Sequence, residues 1–157
     1  MSKVDKLIEA QSKGAQIFHG EAVCIAKIAE IFQEFSVPSS IFPLKEIIEV
    51  GLNRSSGFIW SKQRSKTEHE FKKMGQTILY DVVITCFVEQ RHMQKLTGVK
   101  TKKLLFSLPI SEMIFGFTSD DKVKVVTSTG LYRVHHISEF ENEDGTLDTN
   151  RLPNISL

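Results

Sequence analysis

Five histidines and two cysteines are the side chains best able to hold a metal, move a proton or attack a substrate: His19, His69, His92, His135, His136, Cys24 and Cys86. A metal site needs three or four ligands at suitable spacing. His135 and His136 are adjacent in a β-type run, so they point to opposite faces and do not chelate one ion together. His69-Glu70-Phe71 lacks the second helical histidine of H-E-x-x-H. Neither a metal nor a cofactor is expected. Nucleophilic catalysis needs an activated Ser or Cys held against a base. No G-x-S-x-G elbow is present. Arg54-Ser55-Ser56-Gly57 puts two serines in a turn, where serine is at home, and Cys86 sits in the most apolar run, where a thiol packs inertly. Glu68, Glu70 and Asp81 form an acid pair only if tertiary contacts bring them together, and no phosphate loop or dinucleotide fingerprint occurs. No catalytic residue is assigned.

Two further groups have chemical use. Phe58, Trp60, Tyr80, Phe106 and Tyr132 are candidates for lining an apolar pocket. The competing reading makes them filling for a narrow β-barrel. Basic residues cluster at Arg54, Lys62, Arg64, Lys66, Lys72 and Lys73, and again at Arg91, Lys95, Lys100, Lys102 and Lys103. On one rim, Arg54, Lys62, Arg64, Lys100, Lys102 and Lys103 would form a collar for an anionic head group. Alternatively, such lysines simply keep sheet edges from pairing.

These side chains must be placed by a small number of elements. Ser2 and Asp5 form a capping-box pattern before a short helix that stops near Gly14. Residues 21 to 35 place Cys24, Ile28, Ile31 and Phe35 on one helical face, and Val37-Pro38 ends that helix. Burying six of its apolar side chains at ~1.5–3 kcal/mol each is reason enough for the stripe to be core. From residue 46 the texture is β. Segments 46–52, 57–63 and 67–71 come first, with a turn at Asn53–Gly57. The run Thr77–Glu89 is apolar on both faces, as in a strand buried on both sides. Leu104, Phe106, Leu108 and Ile110 alternate, with Pro109 indicating an edge or bend. KVKVVTS and LYRVHHI close the series.

About seven β segments without intervening helices predict an α+β, mainly β fold: an antiparallel barrel-like or sandwich domain preceded by two N-terminal helices. A single domain spans 1–140, with a helical section at 1–37 packed on a β-domain at 44–140, and a flexible acidic tail at 141–157. The 157 residues suffice for one core. A formal charge of +1 argues against nucleic acid as a partner. No transmembrane stretch or secretion signal is evident, and two cysteines without a framework fit a reduced, cytoplasmic setting.

The segment LKEIIEVGLNRSSGFIWSKQRSKTEHEFKKMGQTILYD resembles the plant family catalogued as domain of unknown function 538. So do SKGAQIFHGEAVC, KLTGVKTKKLL and STGLYRVHHISEF, so the resemblance covers about residues 2 to 140. Its marks are Gly51, Asn53, Gly57, Phe58 and Trp60, together with L-T-G-V-K. The resemblance implies amino-terminal helices, a barrel-like β-domain and no established catalytic residues. Lipid or other apolar-ligand binding and ester hydrolysis are the activities it suggests. Many relatives carry a glycine where this chain has Ser39-Ser40, and many begin with a secretion signal. The leading expectation is a non-catalytic module for an apolar or amphipathic small molecule. A protein-interaction module in stress or developmental signalling is the alternative, with no particular partner indicated, and an ester hydrolase using a buried serine or Cys86 is the third reading.

Overall fold

The computed structural model describes residues 1–141; the predicted tail at 141–157 lies, but for its first residue, outside the described residues. Helix α1 (Lys3–Ser12) begins as its sequence dictates. The Ser2 hydroxyl accepts from the Asp5 N–H at 3.0 Å, and the Asp5 carboxylate accepts from the Ser2 N–H at 3.3 Å. Strand β1 (Gln16–His19) follows, then helix α2 (Glu21–Glu34), which buries Cys24, Ile25, Ile28, Ile31 and Phe32. A 3-10 turn at Ser39–Ile41 leads into β2 (Ile47–Asn53), β3 (Phe58–Gln63), β4 (Thr67–Phe71) and β5 (Gln76–Glu89). The series continues with β6 (His92–Lys102), β7 (Ser107–Phe115), β8 (Lys122–Thr127) and β9 (Tyr132–His136), and ends in a 3-10 turn at Ile137–Phe140.

The described residues form one antiparallel sheet of nine strands, ordered β1-β2-β3-β5-β6-β7-β8-β9, with β4 also on β5. The chain is mainly β, as its pattern requires. Two expectations need correction. The helices do not both precede the strands, because β1 lies between them and pairs with β2, Ile17 opposite Gly51. The sheet is also not closed: β1 and β9 are its two ends.

Its curl comes from β5. The N-terminal half of that strand pairs with β4, from Gln76 to Tyr80, and the C-terminal half with β3, from Val83 to Phe87. Between the halves the β5–β6 register shifts, opposite Gly98 with φ +84°. A Cβ at Gly98 would run into the Val83 carbonyl and Ile84, so only glycine lets β6 approach there. The irregularity also explains why β6 escaped the periodicity. Lys95 has positive φ as well, so the buried residues fall at Met93, Leu96, Val99 and Thr101 instead of alternating.

The apolar packing falls in two, on the opposite faces of β3 and the C-terminal half of β5. The main core lies under α2 and the turn at 39–41, and gathers Ile28, Phe32, Phe42, Ile59, Cys86 and Val123 among others. A second cluster, Ile8, Phe58 and Trp60, packs with Val4, Leu7, Val83 and Phe87, residues of α1 and of the adjoining strands. The C-terminal half of β5 is thus buried on both sides, as predicted. Leu104 to Phe106, expected as strand, form instead the tip of the β6–β7 hairpin, closed by the Lys103 N–H donating to the Phe106 carbonyl at 2.8 Å. Pro109 is not on an edge strand: it lies near the start of β7, between β6 and β8, opposite Lys100.

Candidate functional site

Alternation puts Phe58 and Trp60 on one face and Ile59 on the other. Trp60 is 1% exposed and shields Glu49, donating Nε1–H to Oε2 at 2.8 Å. Its ring lies over Gly51, where any Cβ would overlap the indole. Asn53 donates Nδ2–H to the Gln11 carbonyl at 3.0 Å, tying the hairpin to the end of α1, and accepts from the Ser55 N–H at 3.1 Å. Gly57 turns at φ +80°. Gly51, Asn53, Phe58 and Trp60 therefore seat α1 on the sheet, while Gly57 closes the turn against the Val88 backbone of β5.

Glu49 also meets His19 Nε2 at 3.1 Å and Lys62 Nζ at 3.3 Å. Burial opposes its charge, yet the bonds from Trp60, Lys62 and His19 outweigh that and hold the carboxyl below the usual glutamate range. Tyr80, again 1% exposed, donates its hydroxyl to the Ile41 carbonyl at 2.6 Å and meets Phe42 edge-on. Burial pushes the Cys86 thiol up to about 12, so the thiolate needed for attack is not formed. His135 turns to Glu139 at 2.8 Å and His136 to Asp121 at 3.2 Å, on separate partners as strand alternation requires.

The other two aromatic candidates come together. Phe106 and Tyr132 line a cleft of about 320 Å³ between the N-terminal half of β5 and strands β6 to β9. Ile78, Ile110, Met113 and Phe140, all buried, form its floor. Phe106, Leu131 and Tyr132 stand exposed at its mouth. The polar lining is Gln76, Thr101, Lys103, Thr127, Arg133 and His135, and among the described residues it includes no carboxylate. Thr101 donates its hydroxyl to Gln76 Oε1 at 2.7 Å, which turns the Gln76 amide nitrogen into an available donor. Lys124 Nζ lies 4.2 Å from the Tyr132 ring centre, a cation–π contact that fixes the ring at the mouth.

Of the six basic candidates, only Lys103 lines this cleft. Arg54 pairs with Glu34 at 2.6 Å, Lys62 with Glu49, and Lys102 loosely with Glu68 at 3.8 Å. Arg64 is exposed, bonded through its N–H to the Glu46 carbonyl, and Lys100 lines a separate outer groove with Lys66 and Asp81. These six side chains do not share a rim. Sequence reasoning passed over Arg133 and Gln76, which the curl of the sheet brings to one cleft from strands far apart in the chain. The one available signal was Arg133 next to Tyr132 in a run otherwise read as plain strand.

No helix among the described residues is long and apolar enough to cross a membrane. The family model described as "Protein of unknown function, DUF538" matches residues 28–141. No curated protein and no solved structure matches the chain.

Proposed function

The chain belongs to the DUF538 family of proteins of unknown function, and from the cleft we propose that it binds a small amphipathic molecule with an anionic head, without catalysing its conversion. One observation carries the reading: a cleft of about 320 Å³ with an apolar floor, whose lining among the described residues holds Lys103 and Arg133 but no carboxylate. That volume is at the lower end of ligand sites, which run from about 300 to 1,000 Å³. An alkyl or aromatic body packs on Ile78, Ile110 and Met113, and a carboxylate or phosphate head takes donors from Lys103, Arg133 and Gln76. The two buried, unpaired thiols Cys24 and Cys86 suit a cytoplasmic setting for this role.

The test is titration with the anionic amphiphile anilinonaphthalene sulfonate, followed by displacement with palmitate and lysophosphatidic acid. Saturable binding is expected, weakened about tenfold or more by Val125→Phe, which adds bulk at a lining position on β8, and by Lys103→Glu. Wild-type protein with no saturable binding of any of the three rejects the proposal. Protein interaction is a second reading, supported by the outer edge of β9, where Tyr132 and Val134 are exposed. A partner strand would pair there, and Val134→Pro should then abolish capture of the partner while leaving amphiphile binding intact.

A further inference from the structure

A four-residue hairpin tip normally carries Gly, Asn, Asp or Pro, which supply turn geometry and tolerate water. The β6–β7 tip carries Lys103-Leu104-Leu105-Phe106 instead. Leu104 is 96% exposed, Leu105 90% and Phe106 63%. Neither leucine lines the cleft, so ligand binding does not account for them. Leu131, 71% exposed, stands at the same end, because the Ser128 N–H of the β8–β9 turn donates to the Pro109 carbonyl at 2.9 Å. The apolar residues stand at a hairpin tip beyond the last β6–β7 pair, Lys102 with Ser107, whereas a surface made for a protein partner usually has its apolar residues at the centre of a broader patch. Below the tip, Lys103 and Arg133 line the cleft, and Lys100 and Lys102 lie on the last residues of β6, Lys100 in the outer groove that also holds Glu68 and Asp81. Among the described residues their one carboxylate partner is Glu68, 3.8 Å from Lys102 and more than half exposed. An apolar tip over a cationic shoulder is the arrangement that places side chains among acyl chains and positive charge at the level of lipid phosphates.

We propose that the β6–β7 tip docks the protein on an anionic lipid surface, with Leu104, Leu105 and Phe106 inserted and Lys100, Lys102, Lys103 and Arg133 facing the head groups. Docking stands apart from the small-molecule reading. It also sets the cleft mouth against the bilayer, and that consequence alone rests on the ligand reading.

Flotation of the full chain with phosphatidylcholine vesicles, with and without phosphatidylserine, tests the proposal. The protein is expected to float with the phosphatidylserine vesicles and to be released by salt. Leu104→Ser with Leu105→Ser should reduce partitioning at least about tenfold while anilinonaphthalene sulfonate binding persists, and Val125→Phe should leave flotation unchanged. Leu105→Trp should show a blue-shifted emission on phosphatidylserine vesicles, against the constant signal of buried Trp60. Protein that stays soluble with both vesicle types, or a double-serine variant that floats like the wild type, overturns docking whatever the small-molecule titration shows. A concentration-dependent dimer that the double-serine variant abolishes, without flotation, also overturns it and assigns the tip to a second copy of this chain.

Discussion

The two halves of the β5 bend carry the same kinds of residue and use them differently. On one half, Phe58 and Trp60 are packed with α1, and the indole N–H is matched by Glu49. On the other, Phe106 and Tyr132 stand at the mouth of a cleft over a buried floor, where Phe140 of the last 3-10 turn takes part but no α-helix does among the described residues. Aromatic type and strand alternation do not separate the pairs. The covering element does: where a helix of ten residues lies over the strands the rings become core, and where none lies the same chemistry becomes a site.

That contrast can be broken most forcefully at the covered half. Trp60→Ala should cost about 3–5 kcal/mol, read as a lower urea midpoint, because it opens a cavity under α1 and leaves Glu49 without its indole donor. Gly51→Ala should cost about 1–3 kcal/mol in the same measurement by driving a methyl into that ring. In both variants the fraction that remains folded should keep its amphiphile affinity; a cleft lost in step with α1 would mean that the halves are one unit.

Glu49 sharpens the comparison through pH. Its folded carboxyl is held below the unfolded value by Trp60, Lys62 and His19 acting against burial. Its contribution is therefore present above the ordinary glutamate range and lost as pH falls through the lowered folded value. Glu49→Gln should flatten the acid side of the stability profile, measured as urea midpoint against pH, and leave neutral stability lower by about 1–2 kcal/mol. A profile that overlays the wild type would remove the carboxylate from the covered half. The smallest stability change belongs to the open half. Tyr132→Ala, at an exposed ring, should stay within about 0.5 kcal/mol of wild type yet weaken amphiphile binding severalfold. Unchanged binding would detach Tyr132 from the site.

Local chemistry was legible wherever a residue answers to its near neighbours. The Ser2–Asp5 box, the α2 stripe, the Asn53–Gly57 turn and the two-faced run of β5 all follow from spacings of a few residues. Strand β6 was not legible, because two positive-φ residues break its alternation. Strand β1 was not either, since four residues with Ile17 and Phe18 adjacent show no alternation and owe their state to pairing with β2. The cleft was half legible: Phe106, Tyr132 and Lys103 could be picked out by type, but nothing local distinguishes them from Phe58, Trp60 and Lys62.

By itself the sequence determined both helices, most of the strands, their antiparallel texture and the family, since each depends on side-chain periodicity, caps and turns within a few residues. Only the tertiary structure decided which aromatic pair is core and that β1 separates the helices. It also decided that the sheet curls at Gly98 without closing. Those outcomes depend on burial, which is a property of what lies across a surface, and the chain brings its covering residues from tens of positions away.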